Sequence, residues 1–144
     1  MFSSIVVGTD GSDTAKIAVR EAIELAAASG AKLHVVSAYA PVAAQVQAGG
    51  GPEGAHWNVG PDVLVEGVLS EAAAVAAGMG VQADCRALRG DPADALLEAA
   101  EQEGADLIVV GNRGMTGAKR FLLGSVPNKV SHHAHCSVLI VRTT

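Results

Sequence analysis

Short apolar runs alternate with longer amphipathic segments along the whole chain, and this alternation constrains the fold more than any other feature of the sequence. The apolar runs predict five strands, at residues 3–9, 31–39, 81–88, 106–110 and 137–142. The segments between them predict four helices, at residues 13–29, 61–78, 92–103 and 125–134. Strands separated by helices, several of them apolar throughout, indicate a parallel sheet covered on both faces. The sequence therefore predicts a doubly wound α/β fold.

The order of the strands is less constrained by the pattern than the class of the fold. Both 3-2-1-4-5 and 2-1-3-4-5 agree with the alternation, and in each the ligand lies beyond the carboxyl ends of the strands, where the winding reverses. Glycine-containing segments follow the first strand (residues 8–11, GTDG) and the fourth strand (residues 111–114, GNRG). The order 3-2-1-4-5 is favoured because it would bring these two ends to one cleft.

Length, composition and charge limit the function classes. A chain of 144 residues with 49% hydrophobic and 17% charged residues suits one globular domain over residues 1–144. The net charge of −5 disfavours general binding to nucleic acids or anionic membranes. No apolar run approaches the roughly 18 residues of a membrane span, and the first residues lack a basic leader, so we expect a cytoplasmic protein. Cys85 and Cys136 lack metal-ligand spacing and are expected to be packing residues.

The glycine-spaced segment GNRGMTGAKRFLLGS, from Gly111 to Ser125, begins where the fourth strand ends and finishes where the last helix begins. Glycine allows the backbone to approach a ligand with its N–H groups turned inward. The N-terminus of a helix adds unpaired N–H groups and a partial positive charge. Residues 107–144 contain no acidic side chain and five basic ones, namely Arg113, Lys119, Arg120, Lys129 and Arg142. The segment therefore predicts a phosphate-binding loop.

Two common phosphate-binding motifs do not match this loop. A Walker A motif ends in Gly-Lys-Ser/Thr, whereas Lys119 follows Ala118 and precedes Arg120. The dinucleotide motif Gly-x-Gly-x-x-Gly is absent after the first strand. A lysine-dependent NTPase and a dinucleotide enzyme are both disfavoured.

The spacing Gly111-x₂-Gly114-x₉-Gly124-Ser125 after the fourth strand resembles the nucleotide-binding motif of the universal stress protein family. The segments IVVGTDGS, ADLIVVGNRG and CSVLIVR also resemble the corresponding family segments. The resemblance implies the order 3-2-1-4-5, a cytoplasmic stress-response sensor or regulator that binds ATP, with Mg²⁺ where the triphosphate is the ligand, and a homodimer formed through the last strand, Ser137 to Arg142. It implies no catalytic residues and no metal held by protein ligands.

The resemblance also implies which residues contact the nucleotide. Thr9 and Asp10 would contact the adenosine, and Ala38 would line the adenine pocket. The ribose and phosphates would be held by the two halves of the motif, which are Gly111, Asn112, Arg113 and Gly114 in the first half and Gly124, Ser125 and Val126 in the second.

Several alternatives remain open at this stage. Pro127 removes one N–H donor from the first turn of the last helix, where family members often have a hydroxyl residue, so AMP or cyclic AMP competes with ATP as the expected ligand. A dimeric adaptor with a vestigial site and a slow ATPase are further possibilities, although no convincing general base lies in the loop. Asp10 would alternatively cap the first helix, with Ser12 or Asp13 sharing the role, and the two roles of Asp10 are compatible. The glycine-rich segment 47–61 is a lid or, by preference, a loose loop, and the histidines of the last helix are expected to be solvated, namely His132, His133 and His135.

Overall fold

The computed structural model describes residues 2–39, 61–112 and 123–143. In chain order the elements are β1 (Ser4–Gly8), α1 (Asp13–Ser29), β2 (Lys32–Tyr39), α2 (Pro61–Gly78), β3 (Ala83–Arg89), α3 (Pro92–Gln102), β4 (Leu107–Gly111), α4 (Ser125–His133) and β5 (Ser137–Val141). Every predicted strand and helix is present, with bounds that differ from the prediction by at most two residues. The largest difference is at β3, which begins at Ala83 because Val81 still belongs to the turn after α2: its N–H donates to the Ala76 carbonyl at 2.8 Å.

The five strands form one parallel sheet in the order β3-β2-β1-β4-β5. This confirms the predicted fold class and strand order. β1 is the central strand, and it pairs with β2 from Ser4 opposite Lys32 and with β4 from Ile5 opposite Leu107. The winding reverses between β1 and β4, so the carboxyl ends of these two strands border the cleft that a ligand of this fold would use.

The side chains of β1 alternate between two apolar layers. Ile5 and Val7 lie in the layer that packs against α1 and α2, and Val6 lies in the layer that packs against α3 and α4. All three are completely buried. Burial on both faces explains why β1 and β4 are apolar throughout rather than alternating with polar residues.

Local sequence signals begin and end the helices. The Ser12 hydroxyl accepts a hydrogen bond from the Ala15 N–H at 3.2 Å and caps α1, while Gly30 ends the helix with a left-handed φ of 72°. The Asp91 carboxylate caps α3 by accepting from the Asp94 N–H at 3.0 Å. This hydrogen bond, assisted by the nearby Lys129 ammonium, lowers the pKa of Asp91.

The two cysteines are free and half-buried. Cys85 packs against the layer beneath α1 and α2, and Cys136 against the layer beneath α3 and α4. The sheet therefore separates them, which confirms the prediction that they are packing residues.

Among the described residues, no helix combines the length and the apolar character that a membrane span requires. The predictions for residues 47–60 and for Arg113, Gly114, Lys119 and Arg120 lie outside the described residues.

Candidate functional site

The turn that follows β1 is ordered by its own side chains. The Thr9 hydroxyl accepts from the Gly11 N–H at 3.1 Å, and the Asp10 carboxylate accepts from the Ser12 N–H at 2.8 Å. The Thr9 N–H donates to the Val36 carbonyl at 2.9 Å, which ties the turn to β2. Asp10 is exposed, so its second oxygen faces solvent at the carboxyl end of the central strand. Of the three polar residues considered for the cap of α1, Ser12 provides the capping hydroxyl, and Asp10 orders the turn before it by accepting from the Ser12 N–H.

Ala38 lies near the end of β2, on the strand next to this turn. Its register partner is Leu88 of β3, and its small side chain is half-buried against the layer beneath α3. Because Gly8 pairs with Val36, Ala38 extends two residues beyond the end of β1 and flanks the Thr9-Asp10 turn. The side chain presents apolar surface there, as an adenine pocket would require.

The end of β4 contains the first half of the glycine motif. Gly111 pairs with Val141 of β5, and extending the register of β1 and β4 by two residues from Val7 and Val109 places Gly111 level with Thr9. The Thr9-Asp10 turn and the glycine motif therefore stand side by side at the switch point, as the sequence predicted.

Asn112 acts as a structural clamp, a role that was not predicted. Its N–H donates to the Val141 carbonyl at 2.8 Å and its carbonyl accepts from the Gly124 N–H at 3.0 Å. Its side-chain oxygen accepts from the N–H of Thr143 at 2.8 Å and from the Thr143 hydroxyl at 2.9 Å. The side-chain oxygen of Asn112 therefore accepts hydrogen bonds from another residue of the protein. No pattern in the sequence predicts the hydrogen bonds between Asn112 and Thr143, because these two residues are far apart along the chain.

The N-terminus of α4 contains the second half of the motif. Gly124 is its N-cap residue and supplies no side chain for capping, and the first turn contains no acidic residue. No described residue accepts a hydrogen bond from the N–H of Ser125 or of Val126. Pro127, which has no N–H, is buried in the first turn. Two backbone donors and the exposed Ser125 hydroxyl are therefore available to an anion at the positive end of the helix.

The structure brings most of the predicted contact residues to one end of the sheet. The hydrogen bond between Gly124 and Asn112 joins the two halves of the motif on either side of segment 113–122. Eight of the ten predicted residues are described and lie at this end, namely Thr9, Asp10, Ala38, Gly111, Asn112, Gly124, Ser125 and Val126. Arg113 and Gly114 lie outside the described residues.

A cavity of about 170 Å³ opens between α1 and α2 beside this end of the sheet. Thr9 and Gly11 border it, and its apolar wall includes Val19, Val68 and Ala72. Thr9, a predicted adenosine contact, therefore borders both this cavity and the candidate site, whereas Ala38 and the described ends of the glycine motif do not line the cavity.

The histidines of the last helix form no ligand cluster. His132 and His133 are exposed in the last turn of α4, and the His132 ring lies 2.8 Å from the Asn128 carbonyl oxygen. His135 is exposed beyond the helix. Within the described residues, the one group with metal-ligating side chains in proximity is elsewhere, around His34.

Comparison with known proteins gives matches over almost the whole chain. The model of the universal stress protein family matches residues 1–142. The universal stress protein Rv1636 of Mycobacterium tuberculosis strain H37Rv is 40% identical over 144 residues, with 99% of this chain and 98% of the relative covered.

Two solved structures with related sequences contain a nucleotide. A universal stress protein in complex with cAMP is 38% identical, with a TM-score of 0.76 and coverage of 99% of this chain and 98% of that one. The universal stress protein from Archaeoglobus fulgidus in complex with dAMP is 26% identical, with a TM-score of 0.70 and 96% of each chain covered.

Proposed function

The chain belongs to the universal stress protein family, and from this premise we propose that it binds an adenine nucleotide at the carboxyl end of its sheet. One observation carries the proposal: the N–H groups of Ser125 and Val126, which no described residue accepts, stand next to the end of β4, held there by the hydrogen bond between Gly124 and Asn112. The cAMP and dAMP complexes of related proteins support the same ligand class.

Each half of the site has a separate task in this proposal. Ala38 and the Thr9-Asp10 turn receive the adenosine, with the outward oxygen of Asp10 accepting from a ribose hydroxyl. Gly111, Arg113 and Gly114 surround the ribose and the first phosphate, and Asn112 holds the motif closed. The N–H groups of Ser125 and Val126, following the N-cap residue Gly124, and the Ser125 hydroxyl hold phosphate oxygens.

Pro127 limits how much a third phosphate group can increase the affinity of the site for the nucleotide. A hydrogen bond to a charged group contributes about 1.5–3 kcal/mol, so one missing donor lowers the affinity for a longer phosphate chain by roughly tenfold or more. We infer that ATP, with Mg²⁺ neutralising its phosphates, binds no more than about tenfold more tightly than AMP or cyclic AMP. The protein would then act as a cytoplasmic sensor or buffer of adenine nucleotides rather than as a fast catalyst.

Calorimetric titration of the full chain with adenosine, AMP, cyclic AMP, ADP and ATP tests the proposal. Binding of at least one phosphorylated ligand at micromolar to submillimolar concentration is expected. Ser125→Ala should weaken AMP binding by about 10- to 150-fold, since one charge-assisted hydrogen bond is lost, and should leave adenosine unaffected. Ser131→Ala, on the same helix but with its hydroxyl bonded to the Asn128 carbonyl, is the matched control.

Two outcomes would contradict this function. Absence of binding to all five ligands at millimolar concentration would favour the adaptor with a vestigial site. Equal effects of Ser125→Ala and Ser131→Ala on AMP would show that the phosphate is held elsewhere. Release of phosphate from ATP, faster in the natural protein than in Gly124→Pro, would instead establish a slow ATPase.

We also propose a homodimer through the edge strand β5. The four side chains from Val138 to Val141 are only half-buried in the monomer, and β5 is the last strand of the sheet. The Val141 carbonyl accepts from Asn112, so the alternation of a parallel ladder turns the N–H and carbonyl of Ile140 outward. An outward edge of this kind pairs readily with a second copy.

Sedimentation of Ile140→Pro and Ile140→Ala tests the dimer. The proline variant removes the outward N–H and should sediment as a monomer, whereas the alanine variant loses side-chain packing but keeps the N–H and should remain a dimer. Monomeric natural protein at micromolar concentration would refute the proposal. Retained nucleotide binding by the monomer would show that the two properties are independent.

A further inference from the structure

A buried imidazole lies between two carboxylates at the amino ends of the strands, the end of the sheet opposite the nucleotide site. His34 is the third residue of β2, and its side chain is 8% exposed. Asp84 is its register partner on β3, and Glu103 caps the C-terminus of α3. One potential ligand atom from each of these three residues lies within 4.8 Å of the other two.

The two ring nitrogens of His34 have different surroundings. Nδ1 lies 3.2 Å from Asp84 Oδ2, a hydrogen-bond distance. Nε2 lies 3.9 Å from Glu103 Oε1, which is beyond hydrogen-bond distance, and no described residue donates a hydrogen bond to it. Because an ionised carboxylate only accepts, the bond to Asp84 places the proton of a neutral ring on Nδ1. The lone pair of Nε2 then faces a carboxylate oxygen across a gap.

Such a gap is unfavourable unless a cation occupies it. A buried acceptor without a partner loses the hydration that it had in the unfolded chain, and here a second acceptor with negative charge faces it. The pairing of Nδ1 with a carboxylate is also the usual arrangement of a metal-binding histidine, since it fixes the tautomer and aims the other nitrogen at the metal.

Arg86 orients the carboxylate on the far side of the gap. Its guanidinium makes a close ion pair with Glu103 Oε2 and donates to Gln102 Oε1 at 2.8 Å. Glu103 Oε1 is therefore the oxygen that faces His34. Asp84, Glu103 and Arg86 together have a net charge of −1, which still attracts a cation.

We propose that His34 Nε2 and Glu103 Oε1 form a binding site for a divalent transition-metal ion, with Zn²⁺ as the best match. Zinc bonds of about 2.0–2.1 Å to nitrogen and oxygen span up to about 4.1 Å, so an ion fits between the two atoms, and a small rotation of Glu103 closes the angle toward tetrahedral. Asp84 orients the imidazole. Water completes the coordination, because the side chains of Glu103 and Asp84 are 24% and 60% exposed.

A proton is the competing occupant of the same gap. A protonated His34 would donate to Asp84, would attract Glu103 across the 3.9 Å gap, and would bring the charge of the four residues to zero. The experiment must therefore separate zinc binding from simple protonation.

Zinc titration of the full chain, stripped with EDTA and monitored by competition with a chromophoric chelator at neutral pH, measures the site. His34→Gln and Glu103→Gln should each weaken the tightest zinc binding by at least about tenfold. Asp84→Asn keeps an oxygen that can accept from Nδ1–H but removes the carboxylate charge, so it should weaken zinc binding by about 10- to 100-fold, as the loss of an outer-shell carboxylate usually does. His132→Gln, which removes an exposed histidine of α4, is the matched control and should change nothing at this site.

Long-range ¹H–¹⁵N spectra of the natural protein give a readout that does not depend on the folding of any variant. Zinc should shift the Nε2 resonance of His34 and leave Nδ1 protonated. Zinc affinity that survives both His34→Gln and Glu103→Gln would overturn the proposal. So would spectra in which His34 responds to pH and not to zinc, which would assign the gap to a proton.

Discussion

An added methyl group at Gly11 should be disruptive for two reasons, the strain of a left-handed backbone and a steric contact with Val68. The structure allows these two costs to be measured separately. The φ of Gly11, 82°, is left-handed, and a Cβ built there would lie 2.6 Å from Val68 Cγ2 on α2. A left-handed backbone costs an L residue about 1–2 kcal/mol, and displacing the Val68 side chain, which borders the cavity between α1 and α2, costs about 1–3 kcal/mol. Gly11→Ala should therefore lower the free energy of unfolding by about 2–5 kcal/mol.

Gly30 provides a control that isolates the backbone cost. It also has a left-handed φ, of 72°, but a Cβ added there would meet nothing within 4 Å. Gly30→Ala should cost only about 1–2 kcal/mol, so the difference between the two alanine variants measures the contact with Val68.

A double-mutant cycle tests the assignment of that contact. Val68→Ala alone removes two methyl groups from a partly buried side chain and should cost about 1–2 kcal/mol. In combination with Gly11→Ala it makes room for the new Cβ, so the double variant should be more stable than the sum of the single costs by about 1–3 kcal/mol.

Urea unfolding followed by circular dichroism measures all four variants. With a slope of about 1–3 kcal/mol per molar urea, a loss of about 3 kcal/mol moves the midpoint by roughly 1–3 M. The reasoning is refuted if Gly11→Ala costs no more than Gly30→Ala, or if the costs of Gly11→Ala and Val68→Ala simply add.

Three further predictions concern other parts of the molecule. Hydrogen bonds from the Ser3 and Ser4 N–H groups lower the pKa of Asp106. Its contribution to stability is therefore present above the unfolded pKa of about 3.9 and is lost as the pH falls through the lower folded value. Asp106→Asn should destabilise the protein at pH 7, and urea unfolding should show that the stability difference between the natural protein and the variant shrinks toward pH 2. Burial, with a smaller effect of the Asp84 charge, raises the pKa of Cys85. At neutral pH this thiol should therefore react with a chromogenic disulfide several-fold more slowly in the folded protein than in the protein unfolded by urea. Equal rates in the two states would contradict the burial of Cys85. Asn112→Ala should lower stability by about 1–3 kcal/mol through the loss of two hydrogen bonds from Thr143, whereas Thr143→Val, which keeps the N–H bond, should cost about half as much in the same urea assay.

The class and order of the elements follow from local patterns that act within a few residues. Strands such as β1 and β4 must be apolar on both faces because helices cover both, and the caps at Ser12 and Gly30 begin and end α1 through backbone groups next to them. Errors were confined to the ends of elements. At Val81 a local turn bond to Ala76, next to Gly80 with its left-handed φ of 79°, decided where β3 begins, and the run of apolar residues alone does not reveal that bond.

The sequence indicated where the candidate site lies, but not all the contacts of its residues. The glycine spacing located the motif, and the strand ends at Thr9 and Gly111 indicated the cleft. The side-chain oxygen of Asn112 accepts from Thr143, a contact that the spacing did not indicate. The spacing of glycines indicates which conformations a loop backbone can adopt. It does not indicate which groups from distant parts of the chain will form hydrogen bonds with the side chains of the loop.

The sequence by itself determined that this chain forms a doubly wound sheet with a glycine-spaced, basic, helix-terminated loop, because hydrophobic periodicity and glycine conformation are properties of neighbouring residues. Only the tertiary structure decided that β1 and β4 adjoin and that His34 meets Asp84 and Glu103. These contacts join residues 50 or more positions apart. The physical reason is that packing and hydrogen bonding depend on contacts throughout the folded molecule. A sequence pattern reflects only the interactions between residues that are close together along the chain.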